Sequence, residues 1–202
     1  MSKICILDCG SGNIASVYNV IKYLELDCII TNEKNIIKNA SHIILPGVGA
    51  YSSLMNKLRK NIDIETLETE VLIKQKFFLG ICVGMQILST TGYEFKECKG
   101  LNWIEGNVKI IDNNKLPHIG WNSVNLIKKC EITENLEDNQ DFYFVNSFFF
   151  ENKNNENVIA KTQYNQIFSS IIQKKNIFGV QFHPEKSQKA GQLLIKNFCT
   201  LK

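Results

Sequence analysis

Cys82 is the residue in this chain placed most like a nucleophile. It lies in Phe77-Phe78-Leu79-Gly80-Ile81-Cys82-Val83-Gly84-Met85-Gln86-Ile87-Leu88, which reads as a buried apolar strand, a sharp turn and a helix. Serine hydrolases write the same device as G-x-S-x-G, because glycines on both sides leave room for a strained turn that presents the reactive side chain. In that setting the amides opening the helix face the sulfur and favour thiolate over thiol. The amide of Val83 is then placed to donate to a tetrahedral oxyanion. A structural cysteine between two packing glycines fits the same letters, and the presence of a base decides between the two.

The chain has only three histidines, so the search for that base is short. His42 enters the apolar run His42-Ile43-Ile44-Leu45, which reads as a buried strand, and His118 sits in a Pro-His-Ile-Gly-Trp turn with no acid beside it. Both read as structural. His183 differs, because Ile177–Phe182 reads as a strand that delivers His183-Pro184-Glu185 into the loop before the last helix. Pro184 fixes the turn, and Glu185 is spaced to hold the imidazole's tautomer and orientation. Cys82, His183 and Glu185 therefore read as nucleophile, base and orienter.

Those residues need a sheet to position them. Strands are expected at Ile4–Asp8, Cys28–Thr31 and His42–Leu45, with a helix over Asn13–Glu25, and this alternation predicts an α/β fold on a mainly parallel sheet. Apolar spacing of three and four predicts helices over Tyr51–Lys60 and Ile64–Lys74 before the Phe77 strand. From Trp103 to Phe182 short β-rich runs (108–111, 142–145, 148–150, 158–161, 167–172) predict a smaller mixed or antiparallel sector, and a helix over Gln188–Phe198 follows. With no repeat, low-complexity block or linker, residues 1–202 read as one domain.

Bulk composition agrees with a small enzyme. The chain has 202 residues, 44% of them hydrophobic and 21% charged, with a formal charge of +3 spread without a basic stripe, which gives nucleic-acid binding little support. Met1-Ser2-Lys3 leads straight into a strand, and no apolar run approaches a membrane span, so a cytoplasmic protein is expected. Seven cysteines without a C-x-x-C pair argue against a disulfide framework and a zinc ribbon, and the other six read as packing residues. No metal and no cofactor is expected.

Two glycine-rich loops fall where ligands bind in such sheets. Pro46-Gly47-Val48-Gly49 follows the His42 strand, so it reads either as an ordinary tight turn or as the source of a second oxyanion donor beside Val83. Gly10-Ser11-Gly12-Asn13-Ile14-Ala15 nearly matches the dinucleotide fingerprint. Asp8, two residues before the first glycine, would lie close to the pyrophosphate, and that argues against a nucleotide there.

The motifs together resemble the class I (triad) glutamine amidotransferases over nearly the whole chain. The blocks are Asp8-Cys9-Gly10-Ser11-Gly12-Asn13, Leu45-Pro46-Gly47-Val48-Gly49-Ala50, Gly80-Ile81-Cys82-Val83-Gly84-Met85-Gln86, Pro117-His118-Ile119-Gly120-Trp121-Asn122 and Phe182-His183-Pro184-Glu185-Lys186-Ser187. Within that family they are most similar to the glutaminase subunits of imidazole glycerol phosphate synthases. The resemblance implies a three-layer fold with helices on both faces of the sheet. It implies that L-glutamine is hydrolysed to glutamate and that ammonia passes, within a heterodimer, to a (β/α)8-barrel cyclase subunit (HisF) making imidazole glycerol phosphate and AICAR in histidine biosynthesis. It also implies that Gly49 and Gln86 line the glutamine pocket beside the oxyanion donor Val83, that Val48 lies in a loop reorienting when the partner subunit is active, and that Asn13, Trp121, Tyr143, Asn146 and Lys186 form a partner interface on loops around the site.

The chain departs from the family pattern at Asn146, where His is usual, at Phe148 and Cys9, where Tyr is usual, and at Val83, where Leu is usual. None of these touches the triad. They leave open which synthase accepts the ammonia, since similar paralogues feed a sugar amidotransferase in surface-polysaccharide biosynthesis. A free-standing cysteine hydrolase shares the elbow and the histidine but gives no reason for the Pro-His-Ile-Gly-Trp-Asn block, and a binding module would have no use for an intact triad.

Overall fold

Four apolar runs too short for helices build the centre of the molecule. In the computed structural model, which describes residues 3–10, 12–112 and 115–202, these are β1 (Ile4–Leu7), β3 (His42–Gly47), β4 (Phe77–Cys82) and β13 (Ile177–Val180), buried along almost their whole lengths. Strands buried on both faces belong to parallel sheets. With β2 (Cys28–Thr31) they form the parallel half of a nine-stranded sheet, ordered β2-β1-β3-β4-β13. Beyond β13 the pairing turns antiparallel through β12 (Gln166–Lys174), β11 (Val158–Tyr164), β8 (His118–Leu126) and β9 (Gln140–Asn146).

A second, smaller sheet holds β10 (Phe148–Asn152), β7 (Gly106–Ile110), β5 (Thr91–Gly92) and β6 (Cys98–Lys99) in that order, with antiparallel outer pairs and a parallel β5–β7 pair. The helices are α1 (Ile14–Tyr23), α2 (Lys34–Asn39), α3 (Tyr51–Asn61), α4 (Ile64–Glu68), α5 (Val83–Gln86) and α6 (Gln188–Cys199). Register places the functional loops together. Gly47 pairs with Cys82, and Ile81 with Val180, so the chain leaves β3, β4 and β13 at one carboxyl edge, where open α/β sheets bind ligands.

Several expectations are corrected. The helix expected over Ile64–Lys74 is α4 capped by Asp63, whose carboxylate accepts from Thr66 N at 2.9 Å, followed by a π-helical stretch over Thr69–Ile73. That wider turn brings both Glu70 and Val71 inward. Glu70, its side chain 1% exposed, lies 2.7 Å from Lys74 Nζ and 2.5 Å from Lys76 Nζ. Burial opposes its charge, but hydrogen bonds and attraction from the two lysines outweigh it and hold the carboxyl below its ordinary value. His118 lies in the nine-residue strand β8 rather than a turn, and its ring stacks on Phe144 and Tyr164. The short helix α2 and strands β5 and β6 lacked a sequence signal. Met1, Ser2 and Ser11, including the centre of the Gly10-Ser11-Gly12 loop, lie outside the described residues.

Candidate active site

Cys82 ends β4 with φ 53° and ψ −112°, a conformation that an L-residue adopts only when the surrounding structure enforces it. The enforcement is close packing. A Cβ on Gly84 would lie 2.1 Å from the Leu45 carbonyl oxygen, and one on Gly80 would lie 2.5 Å from the Gly84 carbonyl oxygen, so glycines let the turn press onto β3. The expected helix after the elbow is a single four-residue turn, α5. Its macrodipole is correspondingly small, and stabilisation of a thiolate falls to local donors.

His183 and Glu185 follow β13, and the His183 amide donates to Tyr143 O at 2.8 Å, tying this loop to β9. His183 Nδ1 and Glu185 Oε1 are 2.8 Å apart, with side chains 4% and 1% exposed. The same carboxylate oxygen accepts from Asn13 Nδ2 at 3.0 Å. Burial works against a charged imidazole here, but hydrogen bonds to Cys82 and Glu185 and the charges of both outweigh it and push His183 up to about 10. An imidazole held that way accepts and retains a proton from the sulfur. Burial pushes the thiols of Cys5 and Cys9 up to about 12. All seven cysteines are free; Cys5, Cys9 and Cys199 are buried with Cys82, while Cys28, Cys98 and Cys130 are half-buried against the core.

Above the sulfur opens a cavity of about 690 Å³, lined by Val48, Gly49, Cys82, Val83, Gln86, Asn146, His183 and Lys186 among others. That volume suits a small-molecule site. The residues expected to form the oxyanion and substrate site are thus brought around one space. Gly49 has φ 87°, and nothing lies within 4 Å of where its Cβ would stand, so the loop after β3 is unobstructed on that side. Gln86 lines the cavity while its Nε2 donates to Phe148 O and to Gln181 Oε1, each at 3.0 Å. Gln181, absent from the sequence-based set, places its own Nε2 3.7 Å from Cys82 Sγ.

The five residues assigned to a partner surface divide. Trp121, 47% exposed, meets Tyr143 edge-on at 6.0 Å, and Lys186 Nζ stands 5.7 Å above the Tyr143 ring. These three form one patch beside the cavity mouth, although Trp121 and Tyr143 lie on strands β8 and β9 and not on loops. Asn13 is half-buried and committed to Glu185. Asn146 is buried in the cavity wall, its Nδ2 donating to Phe148 O at 3.0 Å, where the inward face of β9 carries it across from His118. At the start of the Gly10 loop, Asp8 Oδ1 accepts from Gly10 N at 2.9 Å and Lys57 Nζ donates to Gly10 O at 3.0 Å.

Comparison with known proteins agrees with this geometry. The model for the family "Glutamine amidotransferase class-I" matches residues 5–201. The chain is 41% identical to the imidazole glycerol phosphate synthase subunit HisH of Pelagibacter ubique (strain HTCC1062), covering 98% of this chain and 100% of that one. It is also 41% identical to the subunit of that name from Methanocaldococcus jannaschii, over 97% of this chain and 98% of that one. Among solved structures, a glutamine amidotransferase aligns with a TM-score of 0.76 at 16% identity, over 96% of each chain, which is a likeness of fold.

Proposed function

This chain belongs to the class-I glutamine amidotransferase family, and from that premise we propose that it is the HisH-type glutaminase subunit of an imidazole glycerol phosphate synthase. It hydrolyses L-glutamine to glutamate and passes ammonia to a HisF-type (β/α)8-barrel cyclase, for the synthesis of imidazole glycerol phosphate and AICAR. The observation that carries the reading is Cys82 on a strained elbow and a His183 that Glu185 holds at 2.8 Å, both lining one cavity that Phe95, 89% exposed, also lines.

In this reading the Cys82 proton passes to His183 and the sulfur attacks the glutamine carboxamide carbon. The amide of Val83 faces the oxyanion and the Val48–Gly49 loop supplies a second donor once partner docking turns it inward, while His183 returns its proton to the leaving nitrogen to release ammonia. Water, deprotonated by His183, then cleaves the thioester to glutamate. Glu185 keeps the imidazole oriented throughout. Residues 1–202 serve as one amidotransferase domain. Among the described residues no helix is long and apolar enough to cross a membrane, and a cytoplasmic location suits the proposed biosynthetic role.

Ammonia released into water is protonated and lost as a nucleophile, so the acceptor enzyme must close over the cavity. Exposed apolar side chains support such docking: Phe95, 89% exposed, Val48 and Ile110 line the cavity, and Ile119 and Trp121 are exposed on β8, surface of the kind partners cover. Glutamate release is the direct test. The isolated chain is expected to be a poor glutaminase, and adding a HisF-type cyclase with its acceptor substrate is expected to raise the rate by roughly 10²–10³, the worth of one oxyanion donor brought into line. Equal rates with and without the cyclase, or rate enhancement only by a sugar amidotransferase system, would move the chain out of histidine biosynthesis. Trp121→Ala is expected to weaken assembly by about 2 kcal/mol, roughly 30-fold in Kd, as an aromatic hot spot does. Isothermal titration against the cyclase reads this, and an unchanged Kd removes Trp121 from the interface.

A further inference from the structure

The triad does not account for every polar side chain at the sulfur. Gln181 is wholly buried, and its backbone amide is fixed by donating to Ser170 O at 2.9 Å. Its side chain forms the last link of a chain of amides. Gln86 Nε2 donates to the Phe148 carbonyl at 3.0 Å and to Gln181 Oε1 at 3.0 Å, and Gln181 Nε2 in turn stands 3.7 Å from Cys82 Sγ. A backbone carbonyl only accepts, so Gln86 must turn its nitrogen toward Phe148, and Gln181 must then offer oxygen to Gln86 and nitrogen to the sulfur. Each amide orientation is thereby fixed from the backbone outward.

We infer that Gln181, oriented by Gln86, is a positioning residue that fixes the Cys82 sulfur and stabilises its thiolate. This rests on the glutaminase reading above. The thiol has an acceptor in Val145 O, 3.9 Å from Sγ. Once its proton has moved to His183, that carbonyl offers the sulfur nothing, because a thiolate needs donors. The Gln181 N–H supplies one from a buried position, where a charge-assisted hydrogen bond is strong and an unpaired charge is costly. An amide N–H does not titrate in the working range, so it stabilises the sulfur anion without protonating it. The one-turn length of α5 gives this donor its importance. The titratable and charged groups facing the sulfur's cavity are His183, Lys186 and Glu94, with Glu185 behind His183.

The test is the pH dependence of Cys82 alkylation by iodoacetamide on the full chain, followed by mass spectrometry of the Cys82 peptide. Gln181→Met keeps length and volume but cannot donate. Its alkylation midpoint is expected to rise by about one pH unit, a tenfold loss of thiolate. In the complex, kcat for glutamine is expected to fall about tenfold with KM within about twofold, since the interaction strengthens as charge develops. Gln181→Glu, which sets a carboxylate against the sulfur, should raise the midpoint further. If Gln181→Met fails to fold, as a thermal melt would reveal, Gln86→Met serves instead: it frees the Gln181 amide to turn and should produce a smaller rise in the same direction. A folded variant that alkylates with the wild-type midpoint overturns the inference. Absence of glutamine hydrolysis by the wild-type complex, with the midpoint shift still present, would instead overturn the glutaminase reading.

Discussion

Cys82→Ala is expected to reduce glutamine-dependent synthesis by roughly 10⁴–10⁶-fold, the loss seen when a catalytic-unit member is removed, while synthesis from added ammonia persists in the complex. The two halves of this result separate chemistry from architecture. Alanine retains the Cβ, and with it the unusual backbone of the elbow at φ 53°, so the turn between β4 and α5 has no reason to rearrange. What disappears is the sulfur that Gln181 Nε2 approaches and that shares its cavity with His183. The proposed cyclase partner would still receive ammonia from solution, so its own reaction would continue. Assay of both nitrogen sources on one preparation checks this, and loss of both activities would mean that Cys82 serves assembly or folding instead of generating ammonia.

A single methyl group at Gly84 is expected to be nearly as damaging, by a different route. The added Cβ would stand 2.1 Å from Leu45 O and 3.2 Å from Leu45 C, both backbone atoms. β3, which carries Leu45, cannot retreat, because it is paired with β1 on one side and β4 on the other. The turn must lift instead, costing about 3 kcal/mol, as overpacking of a close contact does. For a chain of this size that is a fall in Tm of roughly 6–12 °C. Because the lift moves Cys82 relative to His183, Gly84→Ala should also lose glutaminase activity at temperatures where it remains folded. Calorimetry and the glutamate assay measure the two effects, and wild-type values in both would show that the elbow does not depend on this contact.

The parts of the site that were legible in the sequence are those whose chemistry is local. Gly80 and Gly84 announce the elbow around Cys82, and the strand ending at Val180 announces that His183-Pro184-Glu185 will arrive at a sheet edge. The parallel order of the first strands was legible for the same reason, since each apolar run is short and each is followed by a helical period. What could not be read was long-range. Gln181 is one polar letter in an apolar strand, 99 residues from its sulfur partner, and only the pairing of β13 with β4 makes it a neighbour of Cys82. Asn13 reaches Glu185 across 172 residues. The strand β8 was hidden by Pro117 and Gly120, letters that read as a turn, although the backbone runs extended through His118–Leu126 with Gly120 at φ 135°. Lys34–Asn39 is too short for a helical period to declare itself.

The left-handed backbone at Cys82 gives the protein a memory of its occupation. Holding a residue with a side chain there costs of order 1–3 kcal/mol, and glycine would relieve it. In the proposed role, selection for the sulfur keeps glycine out of position 82, against a standing pull toward a steadier molecule. A descendant that retained this scaffold for docking alone would feel that pull at once. Drift to glycine at this one site, with the flanking Gly80 and Gly84 unchanged, would mark a lineage that has given up catalysis and kept the shape.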